Sequence, residues 1–222
     1  MTRLPRPRFL AFAGLATAAL ALAVTAATSG ARQGSGLVRG NKPGEWRYWG
    51  GDAWSTRYSP LDQINEGNFK SLQVAWQWNA AKDGDDEYYR TTPLYANGRL
   101  FTVATTHRYT YAVDPATGKT LWEYRLEEGI RWQKAPRQYA GRGLSYWTDG
   151  RGDERILYVT TGYRLVELNA KTGQPIAGFG TNGVVDLKVG VVIGKDKQLD
   201  LEKGEIGLHS TDRKSTRLNS SH

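Results

Sequence analysis

The chain contains no cysteine among its 222 residues. This absence excludes a disulfide framework, a thiolate metal site, covalent attachment of a c-type haem and a lipid-modified N-terminal cysteine. Histidine is also scarce, with only His107, His209 and His222, and none has metal-ligand spacing to another histidine or a carboxylate. No nucleophile elbow, phosphate-binding loop or paired-carboxylate signature is present. The sequence therefore predicts no catalytic residue and no metal ligand within this chain.

Long hydrophobic runs are confined to the N-terminus. Residues 1–31 begin with Arg3, Arg6 and Arg8, continue through an apolar stretch at 9–24 and end in small residues. This order is typical of a secretory signal peptide, and the apolar stretch is long enough to remain as an N-terminal anchor. In either case we expect the rest of the chain to be exported.

The C-terminal residues 212–222 have no apolar period and no turn pattern. They match the translation of a sequencing adapter, so we expect them to be an artefact and exclude them from the fold. Without both ends, 180 residues remain with a net charge of +3 instead of +8, because the leader carries three arginines and the tail three bases and one acid. This small charge argues against a nucleic-acid partner. Residues 32–45 are Gly-rich and polar, typical of a linker, and 46–211 form the predicted domain.

The chain is rich in aromatic residues and glycine, with 8 Trp, 12 Tyr and 26 Gly. One turn motif occurs twice. Residues 114–119 join the apolar end of one strand to Trp122, and Asn169 repeats the Asp114 position fifty-five residues later, with Ala177 in place of the tryptophan. Asp and Thr side chains can bond the backbone of such a turn, and glycine supplies its positive φ. A repeated strand–turn–strand unit predicts a propeller or another array of sheets.

The alternation of residues predicts two antiparallel four-stranded sheets and one strand that precedes them. The preceding strand covers 72–78, and turns are expected at 97–98 and 117–118. The predicted strands of the first sheet are 91–95, 99–105, 109–113 and 121–126, and those of the second are 144–147, 155–160, 164–168 and, weakly, 175–179. Two such blades cannot close a ring, so the sequence is expected to be part of a larger propeller.

Two further patterns resemble binding motifs. Residues 178–183 match G-x-G-x-x-G, but a strand-like segment at 184–187 follows them instead of a helix, so we predict a hairpin turn and no dinucleotide site. The acidic residues 83–87 lack the central glycine and distal glutamate of a helical calcium loop. We interpret them as a solvated loop.

A basic and aromatic insert at 127–143 separates the two sheets. Its arginines and tryptophans could bind a flat anionic ring, stack on single-stranded nucleic acid or pack between the blades. Export argues against nucleic acid. The residues themselves do not separate the other two alternatives.

Several segments resemble the pyrroloquinoline-quinone (PQQ) dependent dehydrogenases, and the glucose-dehydrogenase-like branch more than the alcohol branch. The segments that carry the resemblance follow in the order of that family and cover residues 49–65, 72–76, 92–94, 114–122, 142–147 and 179–187. The resemblance implies an all-β fold, a partial eight-bladed β-propeller of about two blades plus the preceding strand. It also implies oxidation of a sugar or alcohol hydroxyl by hydride transfer to PQQ, with calcium polarising the quinone.

The same resemblance implies a respiratory quinone or cytochrome as electron acceptor. It implies a periplasmic location or one on the outer face of the inner membrane, with membrane association through residues 1–31. A non-catalytic propeller of the same repeat type, acting as an outer-membrane assembly or binding scaffold, is the alternative, although the absent leader cysteine is atypical of such scaffolds.

The resemblance also assigns candidate cofactor-binding residues. Arg142 matches the family arginine that pairs with a PQQ carboxylate, and Arg90 stands where the family often has a glutamate that contacts the cofactor. Residues 209–211 match the start of the next cofactor-facing strand. The calcium ligands, the stacking tryptophan and the catalytic base are expected beyond residue 211, so we expect the fragment alone to be inactive.

Overall fold

A computed structural model of the chain describes residues 37–80, 83–84, 89–195 and 197–208. The predicted leader at 1–31 and the predicted artefact at 212–222 lie outside these residues, as do residues 209–211. Among the described residues, no helix has the length and apolar character needed to span a membrane.

The described residues form two four-stranded antiparallel sheets, as the sequence predicted. Along the chain, a short α-helix, α1 (Ile130–Gln133), follows the first sheet and precedes the second, and a 3-10 turn (Phe69–Ser71) precedes both. The first sheet contains β1 (Leu94–Ala96), β2 (Arg99–Ala104), β3 (Tyr109–Val113) and β4 (Thr120–Tyr124). The second contains β5 (Ser145–Thr148), β6 (Glu154–Val159), β7 (Arg164–Asn169) and β8 (Val184–Asp186), and a small hairpin of β9 (Val192–Ile193) and β10 (Lys197–Gln198) follows.

In each four-stranded sheet the strands pair in chain order, and short turns join all neighbours except β7 and β8, which the longer segment 170–183 connects. The predicted turn at Asn97 and Gly98 joins β1 to β2, with φ angles of 45° and 75°. Positive φ at both central residues is the type I′ geometry, whose twist matches that of the paired strands. Asparagine and glycine tolerate these angles better than other residues, so the local sequence determines this hairpin.

The main apolar core lies between the two sheets. Its buried side chains come from both, with Phe101 stacking on Tyr146 at a centroid distance of 6.2 Å. The core members include Leu94, Phe101, Val103, Ala112, Leu144, Tyr146, Ile156, Tyr158, Val166 and Leu168. The opposite face of the first sheet packs against Trp76 and Trp78, which cover Tyr109, Tyr111 and Val113. The first sheet is therefore covered on both faces.

The repeated turn has the same geometry in both sheets. The Asp114 carboxylate accepts the amides of Ala116 and Thr117 at 2.8 and 2.9 Å. The Asn169 side chain accepts those of Lys171 and Thr172 at 2.9 and 3.1 Å. The backbone bonds match too, since Gly118 and Gly173 donate to the carbonyls of residues 114 and 169. The predicted repeat and its side-chain bonding are confirmed.

A tryptophan from the preceding segment docks on each of these turns. The Trp122 indole donates to the Ala170 carbonyl at 3.1 Å, and Trp76 donates to the Pro115 carbonyl at 2.9 Å. A Cβ on Gly173 would lie 2.6 Å from the Trp122 ring, and one on Gly118 would lie 2.6 Å from the Trp76 ring. Only glycine therefore lets the flat indole face rest on the turn. Trp122, which belongs to the last strand of the first sheet, thus binds the second sheet.

The prediction of a strand at 72–78 is wrong. The segment follows the 3-10 turn without regular secondary structure, and no described strand forms a ladder with it. Only half of its apolar positions are buried, since Trp76 and Trp78 face the first sheet while Leu72 and Val74 are exposed. Alternation alone therefore does not make a strand, which also needs a neighbouring backbone to bond.

The fourth strand of the second sheet lies at β8, so its prediction at 175–179 is wrong. Pro175 has no amide to donate to a ladder, and it makes only an isolated bridge to Leu168. The chain turns at 181–183 and then pairs Val184 with Val166. The G-x-G-x-x-G segment thus precedes a strand, which confirms the predicted hairpin turn. The described part of the predicted linker, 37–45, contacts the first sheet, since Glu45 accepts the Asn97 amide at 2.8 Å.

We expect the exchange Gly173→Ala to destabilise the protein by about 2–4 kcal/mol. The residue has a φ of 72°, which costs an alanine about 1 kcal/mol, and its Cβ displaces the Trp122 indole. The measurement is the free energy of unfolding by urea.

Gly98→Ala is the matched control, because Gly98 has a φ of 75° and nothing lies within 4 Å of its added Cβ. We expect this variant to lose only the free energy of unfolding that a positive φ costs an alanine, about 1 kcal/mol. Equal losses for the two variants would show that the indole does not depend on the glycine.

Candidate functional site

The candidate residues lie at one end of the two sheets, and the turns that bind Trp76 and Trp122 lie at the other end. In an antiparallel sheet the start of the first strand lies beside the turn between the second and third. The starts of β1 and β5 therefore lie at the same end as the turns at 105–108 and 160–163. The insert between the sheets connects to this end as well. Arg90 and Arg142 precede β1 and β5, so the topology places both predicted site residues there.

Arg142 lies beside the start of the first sheet. The Thr92 amide donates to the Arg142 carbonyl at 3.3 Å, and the Thr91 hydroxyl donates to the Gly141 carbonyl at 3.4 Å. A Cβ on Gly143 would lie 3.0 Å from the Thr92 carbonyl, so glycine permits this close approach of the two segments. The Arg142 side chain itself is exposed. Its backbone is held by the first sheet while its guanidinium faces outward.

Arg90 is also exposed and lies two residues before Thr92. The structure therefore brings the segments of the two predicted cofactor-binding residues together, although it shows no contact between their side chains. Whether either residue binds a cofactor stays a prediction.

Trp49 adds an aromatic surface next to Arg142. The guanidinium carbon of Arg142 lies 5.7 Å from the centroid of the Trp49 ring, and that of Arg57 lies 4.9 Å from it. Both distances are typical of cation–π contacts. Exposed guanidinium groups beside an indole are donors that suit a planar ligand with carboxylates, because arginine can bind a carboxylate with two parallel bonds.

Two residues of the insert pack against the sheets, Arg131 against the second and Trp132 against the first. For these two residues the structure favours packing over ligand binding. The buried Arg131 binds Asp186 through two bonds of 2.6 and 2.7 Å and donates to the Gly162 carbonyl at 3.2 Å. Trp132 stacks on His107, in the turn between β2 and β3, with ring centroids 4.1 Å apart. Arg131 is buried and Trp132 is half-buried, with one face of its ring covered by His107. The other members of the insert that remain exposed include Lys134, Arg137 and Tyr139.

Glu128 is a second buried anchor of the insert. Its carboxylate accepts the Thr160 hydroxyl at 2.8 Å, the Gly162 amide at 2.6 Å and the Arg164 guanidinium at 2.7 Å. A Cβ on Gly162 would lie 2.5 Å from this carboxylate. A buried charge needs such a full set of partners, since an unpaired one would cost several kcal/mol.

Arg108 joins three segments at the same end. This buried side chain donates to the carbonyls of Tyr139 at 2.8 Å, Val159 at 2.9 Å, Thr160 at 3.2 Å and Leu208 at 2.9 Å. The turn of the first sheet is thereby bound to the insert, to the second sheet and to the segment before residue 209.

Acidic side chains near this end are used by the protein itself. Asp83 accepts the Tyr111 hydroxyl at 2.8 Å and the Arg125 guanidinium at 2.6 Å. Glu127 accepts the Tyr109 hydroxyl, and burial together with this carboxylate raises the pKa of Tyr109 to about 12. The remaining acidic residues of the loop at 83–87 lie outside the described residues. The described part of the chain holds no cluster of three or more residues able to ligate a metal.

The sequence did not single out Arg108, Glu128 or Asp186. Arg108 and Glu128 are charged residues among polar neighbours, the usual pattern of a solvated loop, and Asp186 is a single charge at the end of a strand. Their partners are 31–55 positions away for the pairs Arg108–Tyr139, Glu128–Gly162 and Arg131–Asp186. Only the packing of the two sheets brings these groups together, so no local signal could reveal them.

Comparison with known proteins identifies a matching family model and several related dehydrogenases. A family model described as "PQQ: Glucose/ethanol/alcohol dehydrogenase, beta-propeller domain" matches residues 46–210. Quinoprotein glucose dehydrogenase of Gluconobacter oxydans (strain 621H) is 32% identical over 163 residues, covering 65% of this chain and 20% of that protein. The dehydrogenase subunit of alcohol dehydrogenase (quinone) from the same strain is 32% identical over 163 residues, covering 71% of this chain and 20% of its own length.

A solved structure shows the same fold. Quinohemoprotein alcohol dehydrogenase from Comamonas testosteroni superposes with a TM-score of 0.53 and 27% sequence identity, covering 70% of this chain and 21% of that one. The chain thus spans about a fifth of the length of the curated relatives it matches.

We expect Asp186→Asn to destabilise the protein by about 1–2 kcal/mol at pH 7, and by less in acid. The bonds from Arg131 lower the pKa of Asp186 from 3.8 to about 2. A carboxylate with a lowered pKa contributes stability above its unfolded value, and this contribution is lost as the pH falls from about 4 towards 2. Partial exposure reduces its size through screening.

The measurement is the free energy of unfolding by urea for both proteins at pH 7 and at pH 3. The difference between them should shrink at pH 3, where Asp186 begins to bind a proton. A difference that stays constant over this range would contradict the role of the Arg131–Asp186 pair.

Proposed function

Because this chain belongs to the family of PQQ glucose/ethanol/alcohol dehydrogenases with a β-propeller domain, we propose that it is part of an exported quinoprotein dehydrogenase. The complete protein oxidises a sugar or alcohol hydroxyl with PQQ and passes the electrons to a respiratory quinone or cytochrome. In this proposal the two sheets are blades of an eight-bladed ring, in the periplasm or on the outer face of the inner membrane.

The observation that carries the proposal is the position of Arg142. Its backbone is bound to Thr92 of the neighbouring sheet, and its guanidinium is exposed beside Trp49 at the end where β1 and β5 begin. This position follows from the packing of the sheets and is independent of the family match. It supports a site at this end of the propeller.

The donors present at this end fit a carboxylated quinone. Arg142 can bind a carboxylate with two charge-assisted bonds, and Arg90 supplies a second exposed guanidinium from the segment that contacts it. When bound, PQQ supplies the acceptor for the hydride of the substrate. In this proposal the guanidinium groups of Arg142 and Arg90 bind and orient it.

Calcium and the base belong to the part of the proposal that rests on the resemblance alone. We propose that the calcium ligands and the catalytic base are supplied by segments beyond residue 211. The 222-residue chain by itself is then inactive. Such an ion would polarise the quinone as a Lewis acid, and the protein groups that ligate it would hold it in place.

The decisive experiment is a dye-reduction assay on the full-length protein that contains this chain, tested with a panel of sugars and alcohols. We expect reduction of an artificial electron acceptor that depends on both PQQ and calcium and is lost on treatment with a chelator. No turnover with any of these substrates in the presence of PQQ and calcium would favour a non-catalytic propeller scaffold.

We expect Arg142→Ala in the full-length protein to weaken PQQ binding by about tenfold to a hundredfold. Loss of a hydrogen bond to a charged group costs about 1.5–3 kcal/mol, and 1.4 kcal/mol corresponds to a factor of ten. PQQ affinity is measured by quenching of tryptophan fluorescence in the apo-protein.

Arg151→Ala is the control, because this exposed arginine lies in the β5–β6 turn at the opposite end of the same sheet. It should leave the affinity unchanged. If the two alanine variants bind PQQ equally well, Arg142 is not part of the site.

A further inference from the structure

We propose that Arg108 is a positioning residue for cofactor binding, because it holds the segment that carries Arg142. This inference rests on the proposed function, in which Arg142 binds a carboxylate of PQQ. It adds a residue from the first sheet, distant from Arg142 in sequence, whose side chain acts through the backbone before Arg142.

The contacts lie directly upstream of Arg142. The Arg108 Nε atom donates to the Tyr139 carbonyl at 2.8 Å, three residues before Arg142. The intervening Ala140 and Gly141 are buried, and a Cβ on Gly141 would lie 3.4 Å from Arg108 Nε. The buried guanidinium plane thus lies against the backbone that leads to the exposed arginine.

The other end of the guanidinium is fixed to different segments. Its Nη1 atom donates to the carbonyls of Val159 and Thr160 at the end of β6, and its Nη2 atom donates to the Leu208 carbonyl at 2.9 Å. A planar fork with five N–H donors can bind several carbonyls in a fixed geometry, which a lysine ammonium cannot reproduce. Arg108 therefore determines how far the Tyr139–Arg142 backbone lies from the second sheet.

Position matters for the function of Arg142. A carboxylate is bound well only when both guanidinium donors reach it, and a displacement of about 1 Å at a binding group can cost a large part of its effect. The contact between Thr92 and the Arg142 carbonyl is long at 3.3 Å, so it constrains this backbone less tightly than the 2.8 Å bond from Arg108.

Arg131 provides a matched control for Arg108. Both residues are 5% exposed, and both side chains bind backbone carbonyls at the same end of the sheets. Arg131, however, holds Gly162 and Asp186 and makes no bond to the segment 139–142. Replacing either arginine disturbs a buried bonding network, but only Arg108 is expected to affect Arg142.

The test compares Arg108→Lys and Arg131→Lys in the full-length protein containing this chain. The apo-proteins are titrated with PQQ, and their melting temperatures are measured in parallel. We expect both variants to lose thermal stability, whereas the dissociation constant for PQQ rises about tenfold for R108K and less than twofold for R131K. Unchanged affinity in R108K, or an equal loss in both variants, would overturn the proposal.

A double-mutant cycle separates positioning from general weakening of the fold. If Arg108 acts through Arg142, the effect of R108K on PQQ affinity disappears in the R142A background. A tenfold effect that persists in this background would overturn the proposal. If the wild-type protein does not bind PQQ at all, the proposed function itself fails, which is a different outcome from the loss of coupling.

Gly141→Ala tests the same contact if R108K does not fold. This glycine has a φ of 77°, which strains an alanine, and its added Cβ would contact the Arg108 side chain at 3.4 Å. Gly150→Ala has the same strain at a φ of 75° with nothing within 4 Å, and it lies at the opposite end of the second sheet. We expect only G141A to weaken PQQ binding, and equal affinity in the two variants would overturn the proposal.

Discussion

The contact between an indole face and a turn glycine is the constraint on which the arrangement of the sheets depends. Trp76 rests on Gly118 and Trp122 rests on Gly173, each with an N–H bond to the carbonyl one residue after the Asp or Asn that begins the turn. An indole buries a large apolar area, but only a residue without Cβ allows the flat approach. Because Trp122 leaves the first sheet and binds the second, this contact sets the distance between the sheets and aligns the core between them.

The contacts of Trp76 and Trp122 with the turn glycines lie at one end of the sheets, and buried charged residues lie at the opposite end. There the insert is joined to the second sheet by Glu128 and Arg131, whose charges are buried with full sets of hydrogen-bond partners. Such networks contribute little net stability compared with apolar packing, but removing one partner leaves a charge unpaired. Their physical effect is to fix irregular backbone in one place. The backbone next to Arg142 is held separately, by the bond from Arg108 to the Tyr139 carbonyl, and Arg142 itself remains exposed.

Much of the fold could be predicted from the sequence, because its determinants are local. The strand β3, the hairpin at Asn97 and Gly98 and the repeated turns depend on alternation, on positive φ and on side chains that bond their own backbone. The two wrong strands failed for non-local reasons. The segment 72–78 has the pattern of a strand but no described backbone to pair with, and Pro175 cannot donate where a ladder would need it.

The sequence by itself determined the two antiparallel sheets and the repeat, since these follow from residue types at fixed spacing, while Arg142 and Arg90 were named by the resemblance alone. Only the tertiary structure decided which charged residues are buried and what they bind. Arg131 could have faced a ligand, and the packing of the sheets pairs it with Asp186 instead. Arg108 looks like a solvated turn residue, and it lies buried against the backbone that carries Arg142. A charge acquires such a role from partners far away in the chain, and the docking of one sheet on the next brings those partners together.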